Sequence, residues 1–140
     1  VQTPTGRGAV AVVRVEGDLS RLDDVAVPLF RAANGRSISQ QEIRRIAFGR
    51  WGRSDTEEVV ICRLSDDVLE IHCHGGDAAV RRILNDLEQS GVTEVNWQLQ
   101  RASRGESFEA ECLTALSRAT TLRTADILLE QSNGLLREAY

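Results

Sequence analysis

Arg14 and Glu70 are each a single charge set among aliphatic residues, Arg14 in the run Ala9 to Val15 (AVAVVRV) and Glu70 in Val68 to His74 (VLEIHCH). A charge inside a segment that reads as a buried strand is tolerated when it is paired or reserved for a ligand. Two readings stand side by side. In one, the residues form an internal ion pair or reach to a sheet edge. In the other they line a polar pocket, where the carboxylate accepts two hydrogen bonds from a flat heterocycle and the guanidinium holds an acceptor or an acid tail.

The second stretch has a further possibility. Side chains alternate along a strand, so Glu70, His72 and His74 share one face. Zinc and non-haem iron both accept histidine and carboxylate. No fourth ligand stands at diagnostic spacing, and His74 beside Gly75 and Gly76 is equally suited to a turn. A third stretch, Thr3-Pro4-Thr5-Gly6-Arg7-Gly8, puts an arginine between glycines. Such a loop lets backbone N–H groups approach an anion while Arg7 offers a planar fork to it; it also suits an ordinary entry loop. Arg44-Arg45, Arg81-Arg82 and Arg101 to Arg104 read as solvated faces, with no basic stripe interleaved with aromatics. A G-x-S-x-G elbow is absent, so a hydrolase has no starting residue.

Composition narrows the chemistry. All 17 basic residues of the 140 are arginine. Without lysine, neither the phosphate loop G-x-x-x-x-G-K-[ST] nor Schiff-base chemistry can be hosted here. A net charge of −4 argues against a broad nucleic-acid footprint. Cys62, Cys73 and Cys112 are an odd, widely spaced set, which points to reduced thiols in a cytoplasmic protein. No apolar run approaches the roughly 18 to 20 residues of a membrane span, and no signal-peptide core is present. A chain that starts at Val1 is expected to be a processed form or a piece of a longer protein.

The elements that must position these residues follow from periodicity. Ala9 to Val15 predicts a central strand ending at Glu16-Gly17-Asp18. From Asp18, an N-cap, helical spacing runs through Leu19, Leu22, Ala26, Leu29 and Phe30 to Asn34-Gly35, with a kink or split at Pro28. Ile43 to Trp51 is a weakly patterned strand, and Glu58 to Leu64 and Val68 to His74 are clear ones. Gly75-Gly76-Asp77 feeds a helix with Val80, Ile83, Leu84 and Leu87 on one face, closed by Gly91. Glu94 to Gln100 alternates as a half-buried edge strand. Beyond Glu106 the pattern is helical, with Phe108, Cys112, Leu116, Leu122, Leu129 and Leu136 marking its apolar stripe. The fold class is α+β with a mixed or antiparallel sheet over residues 1–104, followed by a helical segment over 105–140 that opens a helical domain.

Two blocks, TPTGRGAVAVVRVEG (3–17) and DVLEIHCHGGDAAVRRIL (67–84), resemble the N-terminal domain of the tRNA-modification GTPases (MnmE, also called TrmE) in order and in spacing. That family opens with T-P-P-G-R-G-G-I-G-I-x-R-I-S-G and later carries D-V-V-E-I-Q-C-H-G-G before a helix. Thr5, Ala9 and His72 depart from those patterns. The resemblance implies a fold related to the folate-binding aminomethyltransferases, a homodimer, and a 5-formyltetrahydrofolate site at or near the dimer interface. Arg14 matches the family's folate-binding arginine and Glu70 its folate-binding glutamate, with Gly6, Arg7, Gly8, Gly75 and Gly76 as loop contacts. A lysine of the family's folate site falls near Leu116, where only Arg118 or Arg123 could replace it.

The same resemblance implies a GTPase domain outside this chain, using GTP with Mg and K. A flavin-dependent partner of the MnmG type works with it on the wobble uridine of tRNA. This chain alone is expected to be non-catalytic. The alternative is a dimerisation scaffold that keeps the fold and has lost folate.

Overall fold

Alternation sorts the sheet residues onto two faces. The computed structural model describes residues 1, 9–23, 27–54, 56–96 and 107–133. Five strands, β1 (Val10–Glu16), β2 (Phe30–Ala32), β3 (Ile46–Trp51), β4 (Glu57–Arg63) and β5 (Val68–His74), form one sheet in the order β1-β5-β4-β3-β2 with every pairing antiparallel. The class is α+β. One sheet face carries Ala11, Val13, Val15, Ala47, Trp51, Val59, Ile61, Leu69, Ile71 and Cys73 into the core. Helix α1 (Asp77–Gln89) contributes Ala79, Ile83 and Leu87 to that core. Its end is a Schellman cap: Gly91, at φ 83°, donates to Glu88 O (2.9 Å), and Val92 donates to Leu87 O (3.0 Å).

Three expectations are corrected. Among the described residues β1 has one neighbour, β5, and so stands at an end of the order rather than at its centre. Its unbroken apolar run misled because Val10 and Val12 lie on the face away from the core. The helix from Asp18 to Asn34 is instead a 3₁₀ turn, Leu19–Leu22, followed by β2. Asp18 does cap that turn, accepting from Ser20 N. Asp23 then leaves the helical path, its two carboxylate oxygens accepting from Ile38 N and Ser39 N at 2.9 Å, and Pro28 could not sit inside a helix continued through it. Finally, Glu94 to Asn96 are irregular and exposed, and the rest of that expected strand lies outside the described residues.

The segment between β2 and β3 is held by side chains. Gln41 Nε2 donates to Arg36 O (2.9 Å), and Asn34 Nδ2 donates to Gln41 Oε1 (2.9 Å). From β4, Arg63 donates to the carbonyls of Ser39 and Gln41 and reaches Asp66 at 3.0 Å.

The chain divides into two compact units, Val1–Glu94 and Val95–Tyr140. The change expected at Arg104-Gly105 lies outside the described residues. In the second unit, helices α2 (Ser107–Ser117) and α3 (Leu122–Ser132) pack together. Thr121 caps α3 by accepting from Thr124 N. Ala110 and Cys112 are buried, whereas Leu122, Ile127 and Leu129 are exposed. No helix among the described residues is long and apolar enough to cross a membrane.

Candidate functional site

The face of the sheet opposite the core carries the residues of interest. Register sets Arg14 of β1 directly across from Glu70 of β5, and Glu70 across from Cys62 of β4. Arg14 and Glu70 therefore meet, as one of the two readings required. They are not buried: their side chains are 30% and 20% exposed. Their aliphatic sequence neighbours point the other way, into the core, which is why the run looked closed on both sides.

Geometry leaves Glu70 with spare capacity. Arg14 Nη1 is 3.8 Å from Glu70 Oε1, and His72 Nε2 is 3.4 Å from Glu70 Oε2. Both separations exceed those of a good hydrogen bond, and a half-exposed pair at such distances contributes little. Arg14 instead donates from Nε to Glu16 Oε1 at 2.9 Å. So Glu16, Arg14, Glu70 and His72 form a row across β1 and β5, a row whose Glu16 member the sequence reading overlooked. The spacing of 14 and 16 on one strand face was the available signal. Beside it, Ser65 Oγ donates to Asp67 Oδ1 (2.6 Å), holding the Asp67 carboxyl below its ordinary value, with the Arg14 charge a lesser cause.

The metal reading of Glu70, His72 and His74 does not survive. His74 turns to Glu57, its Nδ1 meeting Oε1 of that residue. Among the described residues no three potential ligands converge. Gly75 N donates to Ala9 O (3.2 Å), tying the end of β5 to the start of β1. Gly76 caps α1 at φ −80° and ψ 141°, and a Cβ built on it meets nothing within 4 Å. Gly6, Arg7 and Gly8 lie outside the described residues. Leu116 is half-buried on α2, and Arg118 and Arg123 are exposed in the second unit.

Burial separates the cysteines. Cys73 is 3% exposed, and burial, with Glu57 nearby as the lesser cause, pushes its thiol above the ordinary value. A folded-state value raised in this way contributes stability that is present below the ordinary thiol range and is lost as pH rises from there through the raised folded-state value. Cys62 is half-buried and Cys112 buried. Under native conditions iodoacetamide should therefore label Cys62 first, with Cys73 and Cys112 reacting only in denaturant. Timed mass spectrometry checks this, and equal rates for Cys62 and Cys73 would contradict the packing.

Comparison with known proteins adds to this geometry. A family model described as "GTP-binding protein TrmE N-terminus" matches residues 1–110. The tRNA modification GTPase MnmE of Geobacillus kaustophilus is 32% identical over 153 aligned residues, covering 97% of this chain and 32% of the relative. The protein of the same name from Bacillus subtilis is 30% identical over 152, covering 97% and 33%. That from Symbiobacterium thermophilum is 30% identical over 155, covering 99% and 33%. The chain thus spans about a third of the length of the curated relatives it matches.

Proposed function

The chain belongs to the family of the GTP-binding protein TrmE N-terminus, and from that premise we propose that Arg14 and Glu70 form one wall of a site for 5-formyltetrahydrofolate. The observation that carries the reading is Glu70 itself. Its two oxygens lie on the sheet face opposite the core, partly exposed, and among the described residues accept no hydrogen bond within ordinary distance. A carboxylate whose two oxygens are held only by long ion pairs can turn to the paired donors of a pteridine edge. Arg14, with Nη1 not engaged by Glu16, is placed to hold an opposing acceptor or the acid tail. Gly76, the N-cap of α1, is compatible with the same reading, since nothing fills the space where a Cβ would stand and room remains for a ligand against the backbone. A formyl-tetrahydrofolate supplies a one-carbon group when bound; this chain's residues hold and orient it.

The wider reading follows the family. The α+β sheet domain is related to the folate-binding aminomethyltransferases, with the folate-site unit over 1–104 and the start of a helical domain over 105–140. The protein acts as a homodimer. With a GTPase domain that uses GTP, Mg and K, and a flavin-dependent partner of the MnmG type, it modifies the wobble uridine of tRNA in the cytoplasm.

Calorimetry tests the site. Saturable binding of 5-formyltetrahydrofolate should weaken more than about tenfold in Glu70→Ala and in Arg14→Ala, the scale expected for lost charge-assisted hydrogen bonds. A folded dimer that binds no folate at any concentration would replace the reading with that of a scaffold. Gly76→Ala provides a sharper check. Its thermal midpoint should fall only slightly, because the added methyl meets nothing and alanine is a poorer N-cap than glycine, while folate affinity falls. Unchanged affinity would remove Gly76 from the site. The chain alone, without a phosphate-loop lysine, should bind no GTP, and a saturable GTP isotherm would contradict that expectation.

A further inference from the structure

Between residues 31 and 53 the chain has six arginines, Arg31, Arg36, Arg44, Arg45, Arg50 and Arg53, against one acidic residue, Glu42, although the whole protein is acidic. All six are exposed. The sheet register brings Arg31 of β2 directly opposite Arg50 of β3, a like-charge pair that disfavours the ladder it sits in. Beside Arg50 on the same face of β3 stand Phe48, 53% exposed, and Ile46, 78% exposed. Arg44 and Arg45 lie immediately before Ile46, at the opposite end of the strand, and Arg36 joins Arg45 around Glu42.

Guanidinium groups thus frame an exposed aromatic ring at both ends of a strand about 20 Å long. The offsetting carboxylates are weakly held: Glu58 meets Arg50 at 3.2 Å with both more than half exposed, and Glu42 meets Arg36 and Arg45 at 3.3 and 3.7 Å. Among the described residues Arg31 and Arg44 have no carboxylate partner. Arg53 is set aside because it donates to Gln89 of α1.

We propose that the outer face of β2 and β3 is a docking surface for single-stranded RNA, with Arg31, Arg50, Arg44 and Arg45 on phosphates and Phe48 stacking on a base. Charge complementarity selects a polyanion. The aromatic ring on a flat strand ladder selects unpaired bases, which alone can lie on it. An anionic membrane is disfavoured, because a membrane-surface element presents a broad continuous apolar face, whereas here Ile46 and Phe48, with Cys62 and Val60 opposite them on β4, are bounded along β3 by Arg45 and Arg50. The span suits a short footprint of about 4 nucleotides. The inference rests on the family reading in choosing RNA, and not on folate binding, which calorimetry decides separately.

The test uses the full chain and a fluorescein-labelled 12-nucleotide RNA of unpaired sequence, read by anisotropy between 50 and 200 mM salt. Binding should weaken with salt, and Arg31→Gln with Arg50→Gln should lower the logarithmic salt slope by about 0.7 per residue removed. Phe48→Ala should cost about tenfold in RNA affinity with the slope unchanged, and Phe48→Tyr should restore it. Heparin, a polyanion without bases, should be indifferent to Phe48→Ala. The proposal is overturned by absent RNA binding, by binding indifferent to the arginine pair, by equal loss of heparin and RNA in Phe48→Ala, or by binding to phosphatidylserine vesicles in place of RNA.

Discussion

Gly49→Ala should detach β2 from the sheet and lower stability by about 3 kcal/mol. Gly49 faces the core side of β3, opposite Ala32. A Cβ built there falls 2.6 Å from two ring atoms of Phe30 and nearer still to the carbonyl oxygen of Arg31. The ring is buried, and the oxygen is backbone, so neither gives way by a simple rotamer change. The strand must shift as a whole, breaking the pairing of Phe30 with Trp51 and exposing both. A drop in thermal midpoint of about 10 °C or more is the expected readout, a domain of roughly 100 residues losing 4 to 8 °C per kcal/mol. A midpoint within 2 °C of the parent would show that β2 is not held as described.

Arg63→Ala should be comparably costly for a different reason. Arg63 is 8% exposed, and its guanidinium is shared between the Ser39 and Gln41 carbonyls and Asp66. Truncation leaves those carbonyls without their donor, at about 1 to 3 kcal/mol for each group that stays buried, and opens a void beneath the 33–45 segment. Arg63→Lys should recover only part of the loss, since one ammonium cannot reproduce the guanidinium fork. Amide hydrogen exchange should show residues 36–45 opening while β5 and α1 stay protected. Uniform loss of protection across the first unit would mean that Arg63 supports the whole sheet instead.

Periodicity was informative where side-chain size and face agreed. Val68–His74 was readable to the residue, because Leu69, Ile71 and Cys73 point inward while Glu70 and His72 do not, and the helix fed by Gly75-Gly76-Asp77 and closed by Gly91 was readable as an element. Strand β3 was harder. It turns Ala47 and Gly49 inward and Ile46 and Phe48 outward, which inverts the usual size rule and weakens the pattern. The segment after Asp18 carried helical spacing by coincidence of Leu19, Leu22 and Leu29, all buried but in a 3₁₀ turn and the approach to β2. Nothing local announces that Asp23 will bind backbone 15 residues later. At the candidate site the sequence isolated Arg14 and Glu70, while their pairing, and the adjacency of Arg31 and Arg50, depend on strand register. That register joins segments too distant for any short window.

Strand order also separates the sheet's pairings by what they cost in chain entropy. Strands β2 to β5 are successive antiparallel neighbours, joined through 33–45, 52–56 and 64–67, so each can add to the previous one by closing a far more local loop than β1 needs. β1 pairs with β5 across more than fifty intervening residues, Val10 with His74 and Glu16 with Val68. Closing so long a loop carries the largest chain-entropy cost of the four pairings. Arg14 reaches Glu70 only once β1 has docked. A chain with β1 undocked would display Glu70 without Arg14, and the paired charges would exist only in the completed sheet.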